Sequence, residues 1–145
     1  MKGMTSIVRN TARLVSAFVM LFGLYVTLTG HLSPGGGFTG GVLLMAGGVL
    51  LVLSFGLDRI SGLTAKGRCH LFDGVGALGF ALVALVGLGA GGFFVNWLPL
   101  GQQHEFFSGG TILVSNVAIA MKVSAGLAGI FLALVLTGLR AMPKE

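Results

Sequence analysis

Charged residues are scarce in this chain: they make up 9% of its 145 residues, against about 25% in a typical soluble domain. Nine basic and four acidic side chains cannot cover the surface of a soluble domain of this size, and 54% of the residues are hydrophobic. The composition therefore predicts an integral membrane protein. The net charge of +5 does not indicate nucleic-acid binding, because the basic residues lie in short gaps between apolar runs and form no basic stripe.

Cysteine is almost absent, since Cys69 is the only one. An intrachain disulfide is therefore excluded, and no CxxC or Cys/His ligand set is present for a structural metal or an iron–sulfur cluster. The phosphate loop GxxxxGK[ST] and the zinc helix HExxH are also missing from the sequence. We expect no cofactor, no bound metal and no catalysis by this chain alone.

Four apolar segments are long enough to cross a bilayer, which takes about 20 helical residues. We predict a single all-α membrane domain over residues 1–145, with transmembrane helices at 11–29, 38–57, 74–95 and 111–139. The first segment resembles a signal peptide. It lacks a convincing cleavage site and is followed by further spans, so we interpret it as a retained helix.

Outside the predicted spans, lysine and arginine are found on only one side of the membrane. Loops on the cytoplasmic side of a membrane carry an excess of these residues. Those outside the spans fall in the N-terminal tail, the middle loop and the C-terminal tail, whereas 30–37 and 96–110 contain none. The pattern predicts that both termini are cytoplasmic, that the outer loops are short, and that the protein is a multi-pass protein of the cytoplasmic membrane.

Glycine is abundant, with 26 residues, and its spacing in the second span is regular. Gly40, Gly41, Gly47 and Gly48 repeat at seven-residue intervals, and 37–41 forms a GxxxG pattern. Small residues on one face allow helices to approach closely. We expect extensive helix–helix contact, more than four short helices can use internally. The GxGxxG match at 35–40 lies between two spans rather than in a βαβ unit, so we interpret it as accidental.

Lys122 lies near the middle of the last predicted span, where a lysine costs about 3 kcal/mol. It shares a helix face with small residues that would bury it against neighbouring protein, and Asn116 adds a second polar group to the same span. Asp73 is placed just ahead of the third span, as a helix cap. The counter-charge for Lys122 is therefore expected from another subunit, a backbone carbonyl or water. Lys122 is either a proton relay or the structural partner of another subunit's acid.

Polar residues on the predicted outer side include His31, His104 and Glu105. The histidines are either hydrogen-bonded residues at helix ends or a proton entry, because histidine titrates near neutral pH. As zinc ligands, these three residues would instead indicate a membrane enzyme. The sequence at 33–37 predicts a tight turn with Ser33 as an N-cap and Pro34 at the first helical position of the second span. The alternative is a direct role of this turn in an ion path.

The segment Gly30-His31-x-x-Pro34-Gly-Gly-Gly37-Phe38-x-Gly40-Gly41 resembles the signature of the MnhB/MrpB family. The resemblance extends over essentially the whole chain and implies four helices. It implies the small B-type component of a multisubunit Na+/H+ antiporter, or the related component of a hydrogenase-like respiratory complex, in a prokaryotic cytoplasmic membrane. Expected partners are large antiporter-like subunits, small hydrophobic subunits, hydrogenase-like redox subunits in some complexes, the lipid bilayer, Na+ and H+.

The resemblance also implies that His31, Pro34 and Phe38 matter for antiport or for assembly. The last span, with Asn116 and Lys122, resembles the version found in hydrogenase-linked modules more than that of stand-alone antiporters. A rival interpretation is a stand-alone small ion transporter or channel that forms a homo-oligomer. The absence of carboxylates from the predicted spans argues against this rival, because such carriers use intramembrane acids.

Overall fold

The computed structural model describes residues 4–32, 34–56, 66–98 and 108–141. They form four helices, α1 (Ser6–Leu28), α2 (Gly37–Phe55), α3 (Lys66–Gly89) and α4 (Thr111–Ala141), and these ranges contain no strand. All four helices are long and apolar enough to cross a membrane. The predicted all-α architecture with four spans is confirmed. The cytoplasmic location of both termini remains a prediction from the charge pattern.

α2 and α4 lie within two residues of their predicted bounds, whereas α1 begins at Ser6, five residues before its predicted start, and α3 differs from the prediction at both ends. α3 begins at Lys66, eight residues before the predicted start. The segment 66–73 contains charged residues that lower its hydropathy, yet it has no proline and nothing else that stops a helix. α3 ends at Gly89, because the following glycines turn the backbone: Gly91 has a φ of 112°, and the Gly92 N–H bonds back to the Gly87 carbonyl at 3.2 Å.

The helices are arranged in a row rather than in a closed bundle. α1 packs on α2, α2 packs on α4, and α4 packs on α3, with a small additional contact between α1 and α4. Among the four described helices, α3 touches only α4. The two central helices of the row are therefore α2 and α4, and large apolar surfaces of α1 and α3 remain exposed.

The glycines of α2 serve two different interfaces. Gly40 and Gly47 face α1: a Cβ at Gly47 would lie 2.7 Å from Cγ of Met20, and one at Gly40 would clash with Thr27. Gly41 faces α4, where a Cβ would lie 2.7 Å from the carbonyl oxygen of Ala120. Close packing of α2 on both neighbours therefore requires residues without a side chain at these positions.

Hydroxyl groups at the α1–α2 interface are satisfied within their own helices. Thr27 Oγ1 donates to the Gly23 carbonyl at 2.8 Å, and Ser54 Oγ donates to the Leu50 carbonyl at 2.7 Å. A hydroxyl that bonds to its own helix backbone presents mainly its carbon atoms to the neighbouring helix. These buried polar residues are therefore compatible with packing in an apolar medium.

Candidate functional site

An ion pair joins the two helices at one end of the row. Lys122 Nζ of α4 donates a hydrogen bond to Oδ1 of Asp73 on α3 over 3.0 Å. The side chains are 50% and 39% exposed, so the pair lies at an open edge of the α3–α4 interface rather than inside it. The chain thus brings together a cation and an anion that are 49 residues apart in sequence.

This pair corrects three predictions from the sequence. Asp73 does not cap the start of α3, because the helix begins at Lys66 and Asp73 lies about two turns inside it. The counter-charge for Lys122 comes from this chain itself and not only from a neighbour, a carbonyl or water. Asp73 is also a carboxylate inside a candidate span, so the predicted absence of carboxylates from the spans is wrong and does not argue against a stand-alone transporter.

Placing the middle of each candidate span at the centre of the bilayer puts both charged residues at hydrocarbon depth. Lys122 is within three residues of the midpoint of the span Thr111–Gly138, and Asp73 is five residues from the midpoint of Gly67–Gly89. At about 1.5 Å per residue these offsets are roughly 4 and 8 Å. The hydrocarbon core extends about 15 Å on either side of the bilayer centre. Neither group reaches the headgroup region by position alone.

A glycine allows the backbones of α3 and α4 to approach at the level of the ion pair. A Cβ at Gly76 would lie 2.8 Å from the backbone nitrogen of Lys122 and 2.9 Å from the carbonyl oxygen of Ala118. Gly76 is one turn of α3 beyond Asp73, on a neighbouring part of the same face. Any larger residue there would separate the helices and lengthen the distance between the two charges.

The second polar cluster is at the start of α2, in the glycine turn (residues 30–32 and 34–37). Gly35 and Gly36 have φ angles of 148° and 115°, which side chains disfavour. The N-cap of α2 is Gly36, so Pro34 lies outside the helix and not at its first position. Ser33, the predicted cap, lies outside the described residues.

The cap of α2 comes instead from a side chain of α4. The backbone N–H of Gly37 donates to Oδ1 of Asn116 at 3.3 Å. The Nδ2 atom of Asn116 is buried and makes no hydrogen bond within the described part of the chain, and it lies beside Gly30. Asn116 thus holds the glycine turn against α4. This contact is a structural reason for a polar residue within the span.

The start of α4 is also capped by an asparagine side chain, from a residue that the sequence pattern did not indicate as a candidate. Oδ1 of Asn96 accepts a hydrogen bond from the backbone N–H of Thr111 at 3.0 Å. Asn96 follows α3 by seven residues, and an asparagine beside Trp97 at the end of an apolar run is a weak signal for such a role. Two asparagine side chains therefore supply the hydrogen bonds that these helix starts would otherwise lack.

The remaining candidate residues are distributed around the glycine turn. The His31 ring packs against Gly109, where a Cβ would lie 2.8 Å from Cγ of His31. Phe38, in the first turn of α2, is 66% exposed, and Pro34 is also exposed. His104 and Glu105 lie outside the described residues, so the proposed proton entry and the three-residue zinc site are not tested. Lys122 and Asn116 are six residues apart on α4 and face different neighbours, α3 and α2.

Four helices long and apolar enough to cross a membrane define a polytopic helical membrane protein. Residues 7–129 match the family described as a domain related to the MnhB subunit of Na+/H+ antiporter. The match covers most of the chain. The chain therefore belongs to this family, as the signature at 30–41 implied.

Curated relatives agree with this assignment. The chain is 32% identical over 141 residues to the putative antiporter subunit mnhB2 of Staphylococcus aureus, covering 89% of this chain and 98% of that protein. It is 34% identical over 84 residues to the B component of the Na+/H+ antiporter of Bacillus subtilis, covering 58% of this chain and 56% of that one. An uncharacterized protein of Methanocaldococcus jannaschii is 32% identical over 130 residues, covering 85% and 49%.

A solved structure shares the fold. A chain of the membrane-bound sulfane sulfur reductase, an archaeal respiratory membrane complex, aligns with a TM-score of 0.72 and 33% identity. The alignment covers 90% of this chain and 57% of that chain. The match thus spans about half the length of several of these relatives.

Proposed function

We propose that this chain is an accessory, non-catalytic subunit of a multisubunit cation/proton antiporter module in a prokaryotic cytoplasmic membrane. The family match over residues 7–129 carries the proposal. It is supported by relatives named as antiporter subunits and by a structural neighbour within a respiratory membrane complex. The module belongs either to a separate Na+/H+ antiporter or to a redox-driven complex that contains one.

The open row of helices supports a role within an assembly. α3 contacts only α4 among the described helices, and its exposed residues include Leu71, Leu78 and Leu85. A protein that worked alone would gain contact area by closing the row into a bundle. Large antiporter-like subunits and small hydrophobic subunits are the partners proposed for these surfaces, with redox subunits in a respiratory complex.

The ion pair is the group in this chain best suited to influence an ion path. A carboxylate and an ammonium at hydrocarbon depth can exchange a proton or bind a passing cation, whereas the apolar remainder of the spans cannot. Asn116 and His31 hold the glycine turn in place, and Pro34 and Phe38 are exposed there for contact with neighbouring subunits. Making or breaking covalent bonds is no part of this role.

Purification of the tagged chain from membranes of its source organism tests the assignment. Extraction in a mild detergent, followed by mass spectrometry, should recover a defined set of larger membrane subunits. Everted vesicles that contain the complex should show sodium-dependent proton transport, and vesicles from a strain lacking this chain should show little. Recovery of the chain alone, or only as a homo-oligomer, would instead support the stand-alone transporter.

The double variant Asp73→Asn/Lys122→Met tests the contribution of the ion pair to transport. It neutralises both charges and nearly preserves the shape of the two side chains. Sodium-dependent proton transport, normalised to the amount of assembled complex, should fall at least tenfold. Wild-type transport in this variant would restrict the ion pair to a structural role.

A further inference from the structure

The ion pair leaves much of its hydrogen-bonding capacity unused. An ammonium group has three donors, and an ionised carboxylate has two acceptor oxygens. Lys122 uses one donor and Asp73 one oxygen, because the single 3.0 Å contact is their only hydrogen bond within the described ranges. Two N–H groups of Lys122 and Oδ2 of Asp73 therefore have no hydrogen-bond partner within the described ranges. At hydrocarbon depth neither lipid tails nor bulk water can satisfy them.

The surface beside the pair is shaped for close approach. We define the Lys122 face as Lys122, Gly126, Gly129 and Ala133 of α4, which follow one another at helical spacing. A Cβ at Gly129 would meet nothing within 4 Å, and one at Gly126 would meet only Oδ1 of Asp73 at 3.9 Å. Gly41, Gly47 and Gly76, in contrast, are filled by the chain's own helices. The Lys122 face is thus a small-residue surface beside the ion pair that the described helices leave open.

The charges determine what kind of partner fits. Lys122 and Asp73 neutralise each other, so an additional acid or base opposite them would leave a net charge in the membrane. The open groups require acceptors for two N–H donors and a donor for one carboxylate oxygen. Hydroxyl and carboxamide side chains provide both functions in a neutral group.

We propose that the Lys122 face binds a transmembrane helix of another subunit that presents serine, threonine, asparagine or glutamine at the level of the ion pair. The glycines allow the two backbones to approach, and the partner's neutral polar groups complete the hydrogen bonds of Lys122 and Asp73. This inference rests on the proposed role as a subunit of an antiporter module. It specifies which face of this chain contacts the partner and which kinds of side chain the partner helix presents.

The variant Gly129→Leu tests the docking without disturbing the chain itself, because the space at Gly129 is open in the structure. In tagged complexes purified from native membranes, Gly129→Leu should reduce the recovered partner subunits at least tenfold, while the chain stays at its normal level in the membrane. Gly138→Leu is the matched control, because Gly138 is also open and exposed and lies on the same helix, on the side of α4 opposite Gly129. It should leave the partners at the wild-type level.

A photo-crosslinking amino acid at Ala133, which is exposed at the rim of the Lys122 face, provides a second measurement. It decides the outcome if Gly129→Leu reduces the level of the chain itself. The adduct in the assembled complex should map to a transmembrane helix of another subunit that has one of the named polar residues within about one turn.

Several results would overturn the inference: normal partner recovery with Gly129→Leu, an adduct to a second copy of this chain, an adduct to an apolar helix, or no protein adduct. Absence of partner subunits from the wild-type preparation would be a different result, since it would overturn the proposed function itself. The two failures are therefore distinguishable.

Discussion

Replacing Lys122 with methionine removes the only partner that Asp73 has within the described residues and leaves its carboxylate at hydrocarbon depth. An unpaired charge near the centre of a span costs about 3 kcal/mol on insertion scales. An exposed surface ion pair in water is worth at most about 1 kcal/mol. The pair is 50% and 39% exposed in this chain, so the expected loss lies between these limits, about 1–3 kcal/mol.

In terms of populations, this loss is roughly a 5- to 150-fold shift toward states in which α3 has separated from α4. The double variant Asp73→Asn/Lys122→Met removes the stranded charge and should recover at least half of the lost stability. Comparison of the single and double variants separates the interaction from the individual residues, provided that neither substitution creates a new contact.

Titration of the detergent-solubilised protein with sodium dodecyl sulfate provides the assay. Trp97 is the only tryptophan, and it follows α3 closely, so its fluorescence should report the separation of α3 from α4. The midpoint should be lowest for Lys122→Met, and the midpoint of the double variant should lie at least halfway back to the wild-type value. Equal midpoints for the wild type and Lys122→Met, or no recovery in the double variant, would refute the reasoning.

Three further substitutions, at Gly41, Asn116 and Pro34, test other positions by the same titration, and the first two each have a control variant. Gly41→Ala should destabilise the α2–α4 contact by about 1–3 kcal/mol, because the new Cβ would lie 2.7 Å from an α4 carbonyl; Gly48→Ala, with 3.9 Å to its nearest neighbour, should have little effect. Asn116→Ala should cost about 1 kcal/mol through loss of the α2 cap, whereas Ser115→Ala removes only a bond to its own helix. Pro34→Ala should change stability by less than about 0.5 kcal/mol, so a loss of transport in this variant would identify Pro34 as a contact to another subunit.

The number of spans could be predicted from the sequence, because twenty apolar residues have few structural alternatives in a chain with so little charge. Thr111 was placed correctly as the start of the last helix, since the glycines before it and the apolar run after it leave little choice. The start of the third helix was misplaced because Lys66, Arg68 and Asp73 lower the hydropathy of its first two turns, although these residues do not prevent helix formation.

The ion pair could not be predicted for a related reason. Once α3 begins at Lys66, Asp73 lies within the span, but its level relative to Lys122 depends on how far α3 slides along α4. Gly76 determines that register through a backbone contact that sequence spacing does not reveal. The cap by Asn116 is similarly long-range, because it joins residues 79 apart. Local capping rules therefore suggested Ser33, whereas the hydrogen bond comes from a different helix.

The order of the helices in the row has a consequence for synthesis of the protein. α3 is synthesised before α4, although α4 is its only neighbour among the described helices. The ribosome adds 49 residues after Asp73 before Lys122, the cation of the pair, is present. At about 5–20 residues per second, this interval is roughly 2–10 s. During that time the growing chain has one helical hairpin, α1–α2, and a third helix with an unpaired acid. A nascent chain halted before Thr111 should therefore hold α3 loosely and leave it accessible to membrane proteases, and the arrival of α4 should protect it.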